Sequence, residues 1–208
     1  MSPRIWRVDT SRPDPVMIEQ AAAMLRRGGL VAFPTETVYG LGADATNAAA
    51  MERLNRVKGR PPEKPYSLHV ASVQQVVSYV PSLPARAVRL MARYWPGPLT
   101  LILTMPDGAT VGFRLPDHPV ALAWLTACRV AVAGPSANLA GMPPPRDARA
   151  VLAALGGVID GIVDAGPTTL GQESSVVRVT DDEVIIVREG ALSKTAILAA
   201  LDAPARDV

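Results

Sequence analysis

The chain has 208 residues, 49% of them apolar and 19% charged, which is enough for one large globular domain or two small ones with a buried core. A net charge of +2, with Lys and Arg spread along the chain, falls short of the basic stripe of a dedicated nucleic-acid binder and permits only weak contact with RNA. One cysteine excludes an intramolecular disulfide or a cysteine-held zinc, two histidines are too few for a histidine-based metal site, and scarce aromatics argue against tiers of stacked bases.

Ile5–Val8 reads as a short opening strand. Asp14-Pro15 then supplies an N-cap and a first-turn proline, Ile18, Ala21, Ala22 and Leu25 recur at helical spacing, and Gly28-Gly29 ends the helix. Leu30–Phe33 is a continuous apolar run, read as a buried strand. It runs into a loop, Pro34-Thr-Glu-Thr-Val-Tyr-Gly-Leu-Gly42, whose hydroxyls and carboxylate suit a ligand site at a strand end. The alternative is that its threonines only bond their own backbone.

Asn47 caps a helix over 48–57. After it comes Lys58-Gly-Arg-Pro-Pro-Glu-Lys64, three cations on a segment stiffened by proline, so that Lys58, Arg60 and Lys64 lose less entropy on meeting an anion. A solvated loop is the plain alternative. Tyr66–Val70 alternates like a strand, with His69 on the face of Ser67. Helices follow over 73–79 and 84–95, stopped by Pro96-Gly-Pro98.

Strands over 99–105 and 111–115 flank a Pro106-Asp-Gly108 turn. Arg114 lies in an apolar stretch, and a buried guanidinium needs a partner; a cation aimed into a cavity, suited to a bidentate carboxylate, is the favoured reading over an edge residue in water. A helix over 117–127 and a buried strand over 129–133 lead to Gly134-Pro-Ser-Ala-Asn138. There Ser136 and Asn138 offer polar groups, and a helix opening at this point would add N–H groups for an anion. An ordinary turn is the alternative.

A helix over 147–155, a strand over 158–163 and a loop over 166–172 come next. A hairpin of 174–180 and 184–187 is flanked by Glu173-Ser174-Ser175 and Arg188-Glu-Gly190. Ser193 caps a last helix, and 202–208 reads as a frayed tail. With no repeat or linker, the chain reads as one domain, 1–208. Without a signal peptide or membrane span, it is expected in the cytoplasm, away from membranes.

Together these stretches resemble the YrdC-like family of threonylcarbamoyl-adenylate synthases. The resemblance rests on Phe33–Gly42, Lys58-Gly-Arg-Pro61, Gly134–Asn138, Glu173-Ser174 and Arg188-Glu-Gly190, in order over about 16–192. It implies an α/β fold, a single-domain twisted mixed sheet with surrounding helices and a deep concave pocket. It further implies an ATP-dependent nucleotidyltransferase of transfer-RNA modification. L-threonine and bicarbonate give N-carboxy-threonine, whose carboxylate attacks the α-phosphorus of ATP to leave threonylcarbamoyl-AMP and pyrophosphate. A downstream transfer-RNA threonylcarbamoyl-transferase complex then uses the product.

By the same resemblance Lys58 and Arg60 carry the catalysis, with Lys58 where the carbamate forms. Arg60, Lys64, Ser136, Asn138 and Arg188 bind ATP, and Thr37, His69, Arg114 and Ser174 hold threonine. Magnesium accompanies ATP as its counterion, without a protein metal site. Ser175 departs from the family's usual threonine, and Tyr66 from an aliphatic residue. Two other readings stand against this one. A hydrogenase-maturation carbamoyl-transfer domain belongs to longer, cysteine-rich chains. A non-catalytic RNA-binding module would use the same basic hollow without turnover.

Overall fold

The computed structural model describes residues 2–60 and 65–202. Among them lie ten strands and seven helices. The first half contains β1 (Arg4–Arg7), α1 (Pro15–Arg26), β2 (Val31–Phe33), β3 (Gly40–Asp44), α2 (Ala48–Lys58), β4 (Leu68–His69), α3 (Val73–Tyr79) and α4 (Ala85–Tyr94). The second contains β5 (Leu99–Thr104), β6 (Thr110–Arg114), α5 (Pro119–Cys128), β7 (Val132–Ala133), α6 (Ala148–Leu155), β8 (Gly161–Asp164), β9 (Ser175–Val179), β10 (Val184–Arg188) and α7 (Lys194–Asp202). The strands form one mixed sheet in the order β1-β8-β2-β3-β7-β4-β6-β5-β9-β10.

Capping chemistry sets the helix ends. The Asp14 carboxylate accepts from the Val16 and Met17 amides with Pro15 in the first turn, and Asn47 accepts from Ala49 and Ala50. Strand alternation then divides the core. Val31, Phe33 and Val163 face α1 and α5, whereas Ala32, Leu41 and Ile162 face α2 and α6. A third cluster joins α3, α4 and α7 to Leu99, Leu101, Phe113 and Val177 of the other half of the sheet.

Several sequence expectations are corrected. Residues 40–42, read as loop, begin β3, which pairs antiparallel with β2. A Cβ at 40 would lie 2.6 Å from the Phe33 ring, and one at 42 would lie 2.6 Å from Trp124, so glycine is what lets this strand fit beneath two large rings. The strand expected over 129–133 is only Val132–Ala133, because Arg129 caps α5 in the left-handed region at φ 55°. The strand expected from 158 begins at Gly161, since the amides of Val158 and Ile159 still bond the Leu155 carbonyl closing α6. β4 is two residues rather than five. No helix opens at 134–138; there a bridge from Ser136 to Gly40 extends the sheet. The helix expected over 117–127 is Pro119–Cys128, capped by His118, with Pro119 at its first helical position.

Candidate functional site

A cavity of about 380 Å³ is walled by residues at the C-terminal ends of four strands: His69 of β4, Arg114 of β6, Gly134 after β7 and Arg188 of β10. Strand ends are where α/β sheets commonly place ligands. Lys58, Arg60, Ser136 and Ser174 join the same wall. Nine of the ten residues singled out from the sequence, though spread along the chain, are therefore gathered here or just behind; seven line the cavity, and Thr37 and Asn138 are the two that stand behind. Lys64 lies outside the described residues.

Lys58 is the last residue of α2, and Gly59 follows at φ 56°, φ/ψ space that side-chain-bearing residues rarely occupy. The turn sends the helix end into the cavity and brings Arg60 to the same wall. Lys58 Nζ donates to the Ser136 carbonyl at 2.8 Å, to Asn138 Oδ1 at 3.1 Å and to the Asn138 carbonyl. Ser136 Oγ bonds Asn138 Oδ1 at 2.6 Å. Asn138 thus holds residues of the wall instead of forming it. Partial burial lowers the Lys58 ammonium to about 8; nearby Glu173 opposes this, and Arg60 adds to it.

Arg114 is 5% exposed and therefore needed the partner its sequence context demanded. Its Nη2 donates to Glu36 Oε1 at 2.9 Å and to Thr37 Oγ1 at 2.7 Å. Thr37 is fully buried and braces Arg114 from behind the wall. Thr35 instead bonds its own loop, donating to the Val38 carbonyl at 2.7 Å, as the backbone-bonding alternative for this loop expects. Since Nη2 spends both hydrogens on protein, Nη1 and Nε are what Arg114 has left; Nε is buried without a partner among the described residues.

β4 and β6 run parallel in register, with His69 opposite Arg114. His69 meets the Phe33 ring edge-on at 5.2 Å and fills the space beside Gly134, where a Cβ would stand 2.3 Å from Nδ1. Burial, aided by the charge of Arg114, lowers its pKa to about 3, so the imidazole is neutral. One ring nitrogen then donates and the other accepts.

At the other side Ser174 bonds Thr100, Oγ to Oγ, at 2.9 Å. Arg188 Nη2 donates to the Ser174 carbonyl at 2.8 Å, and Nη1 meets Glu173 at 3.1 Å. Buried Ser175 accepts from the amides of Gly190 and Leu192 and donates to the Leu192 carbonyl, fixing the chain just beyond Arg188. Sequence reasoning missed the roles of Glu36, Glu173 and Thr100. The signals for Glu36 were its place in a polar loop at a strand end and the need of Arg114, in an apolar stretch, for a partner.

Four cations facing one hollow, two of them met by carboxylates, suit a polyanion carrying a carboxylate. Among the described residues no helix is long and apolar enough to cross a membrane, and no group of three or more His, Cys, Asp or Glu side chains is placed to hold a metal.

Threonylcarbamoyl-AMP synthase of Bacillus subtilis is 44% identical over 97% of this chain and 62% of its own length. A protein of Mycobacterium tuberculosis H37Rv, named putative threonylcarbamoyl-AMP synthase, is 35% identical over 85% of each chain. The crystal structure of Pyrococcus abyssi Sua5 complexed with L-threonine superposes with a TM-score of 0.88 at 38% identity, covering 94% of this chain and 60% of that one. The chain thus spans about three fifths of the length of the Bacillus and Pyrococcus proteins. Residues 23–190 match the family model of Sua5, YciO and YrdC, which bears the description "Telomere recombination". The chain belongs to the Sua5/YciO/YrdC family.

Proposed function

We propose that this chain makes threonylcarbamoyl-AMP from L-threonine, bicarbonate and ATP, supplying the group that a separate transferase complex places on transfer RNA. The observation that carries the reading is a single cavity lined by Arg114, neutral His69, Lys58, Arg60 and Arg188. Relatives bearing the synthase name support threonylcarbamoyl-AMP as the product, and the threonine-bound Pyrococcus structure supports threonine as a substrate.

The threonine carboxylate meets Arg114, whose Glu36 and Thr37 contacts hold it in one orientation. The free amine attacks carbon dioxide derived from bicarbonate and loses a proton, giving the N-carboxylate. An oxygen of that carboxylate attacks the α-phosphorus, the bond from phosphorus to the bridging oxygen breaks, and pyrophosphate leaves. Both reactants are anionic. Fixed cations offset their repulsion and the charge that builds on the bridging oxygen, a role for Lys58, Arg60 and Arg188. No covalent enzyme intermediate is required, and holding the two anions in line supplies much of the rate. Magnesium would enter with ATP as its counterion, where it would offset part of the phosphate charge.

The test incubates purified protein with Mg-ATP, bicarbonate and each amino acid in turn, and measures pyrophosphate. Release that needs both threonine and bicarbonate is expected. Equal release without threonine, or none in any mixture, overturns the reading; tight, salt-sensitive RNA binding without turnover favours the binding-module alternative.

A further inference from the structure

Of the three cavity arginines, Arg114 is matched by Glu36 and Arg188 by Glu173. Arg60 has no carboxylate within ion-pair distance among the described residues. Its Cζ instead lies 4.6 Å from the centroid of the Tyr66 ring, and its Nη2 donates to the Pro65 carbonyl at 2.8 Å. The ring beneath it is 6% exposed and shares the cavity wall.

We infer that Tyr66 is the positioning residue for Arg60: its π face and the Pro65 carbonyl fix the guanidinium at the cavity wall, and neither brings a counter-charge against a polyphosphate. A carboxylate would hold Arg60 as firmly, but it would also cancel the field that an incoming anion feels. An aromatic face attracts the cation through its quadrupole and carries no net charge. A backbone carbonyl likewise orients without cancelling. Arg60 is the first described residue past the left-handed turn at Gly59, so its backbone alone does not aim so long a side chain. The ring supplies the missing constraint, and the entropy of ordering the guanidinium is lost before the anion arrives.

The inference rests on the reading of the cavity as a polyphosphate site, and the experiment separates the two. Calorimetric titrations of wild type, Y66F, Y66L and R60A use inorganic tripolyphosphate and, separately, threonine. Y66F, which keeps the π face, is expected within about twofold of wild type, and Y66L to bind tripolyphosphate about fivefold more weakly with threonine affinity unchanged. In an R60A background, Y66L is expected to add no further loss. Y66M, bulky but without a π face, replaces Y66L if that variant unfolds. Unchanged tripolyphosphate affinity in Y66L, or an equal loss for both ligands, overturns the role of Tyr66 while leaving the cavity reading intact. Absence of tripolyphosphate and ATP binding by the wild type overturns the cavity reading itself.

Discussion

Lys58 and Asn138, 80 residues apart, are joined through both the carbonyl and the side-chain oxygen of the asparagine, while the third ammonium hydrogen goes to the Ser136 carbonyl. An ammonium has three hydrogens, and all three are engaged. The side chain therefore ties the end of α2 to the 134–138 turn and acts on a ligand through its charge and through Ser136. Lys58→Ala should cut pyrophosphate release at least about tenfold, as when a preorganised electrostatic contact is lost. Carbonyls left unpaired should cost about 1–3 kcal/mol in urea unfolding. Turnover at the wild-type rate in a folded K58A protein would contradict the assignment.

The same lysine sets a pH dependence. Its pKa is depressed to about 8, first by burial, so its positive charge is present below that value and lost above it. The KM for ATP should accordingly rise between about pH 8 and 9.5, a limb absent in Lys58→Arg, whose guanidinium does not titrate there. The stability effect has the opposite sign. Between the folded value and the ordinary 10.5 the unfolded chain binds more protons, so this group favours the fold increasingly as pH rises through that window. A flat KM profile to pH 9.5 would contradict the assignment.

Glu36 and Arg114 are both nearly buried, with side chains 8% and 6% exposed. Glu36→Ala strands the guanidinium without its counter-charge, so a loss of about 3–5 kcal/mol is expected in chemical denaturation. The E36A/R114L pair should lose less than the sum of the single losses, because the buried charge goes together with its partner. Additive losses would show that the two side chains do not stabilise one another.

Ser175 bonds three backbone groups of the segment that follows Arg188. Ser175→Ala should lower stability by about 1–3 kcal/mol through the unpaired amides. It should also raise the KM for ATP more than that for threonine, since Arg188 rather than Arg114 loses its support. Ser175→Thr keeps the hydroxyl and should restore most of the ATP affinity. Equal shifts in both KM values in S175A would count against this division of the cavity.

Much of the architecture was legible in local sequence. Asp14-Pro15, Asn47 and Ser193 mark helix starts because a cap acts on amides two or three residues away, and all three caps are present. The β9–β10 hairpin was readable for the same reason, its strands being separated by a short turn. β3 was not, since its Gly-Leu-Gly start reads as loop until Phe33 and Trp124 are known to lie against it. β4 was overdrawn because alternation continues past the two residues that pair on both sides.

The division is sharper at the candidate site. The order of its motifs, and the types of its cations and hydroxyls, were set by the sequence alone, and they sufficed to mark the family. Which group faces which was decided by sheet order: β4 between β6 and β7 puts His69 beside Arg114, and the return of β10 puts Arg188 over Ser174. Thr37 braces Arg114 from behind, and Glu36 neutralises it across 78 residues of sequence. Burial makes such partners obligatory, since a charge removed from water must find one, but only the packed chain selects which.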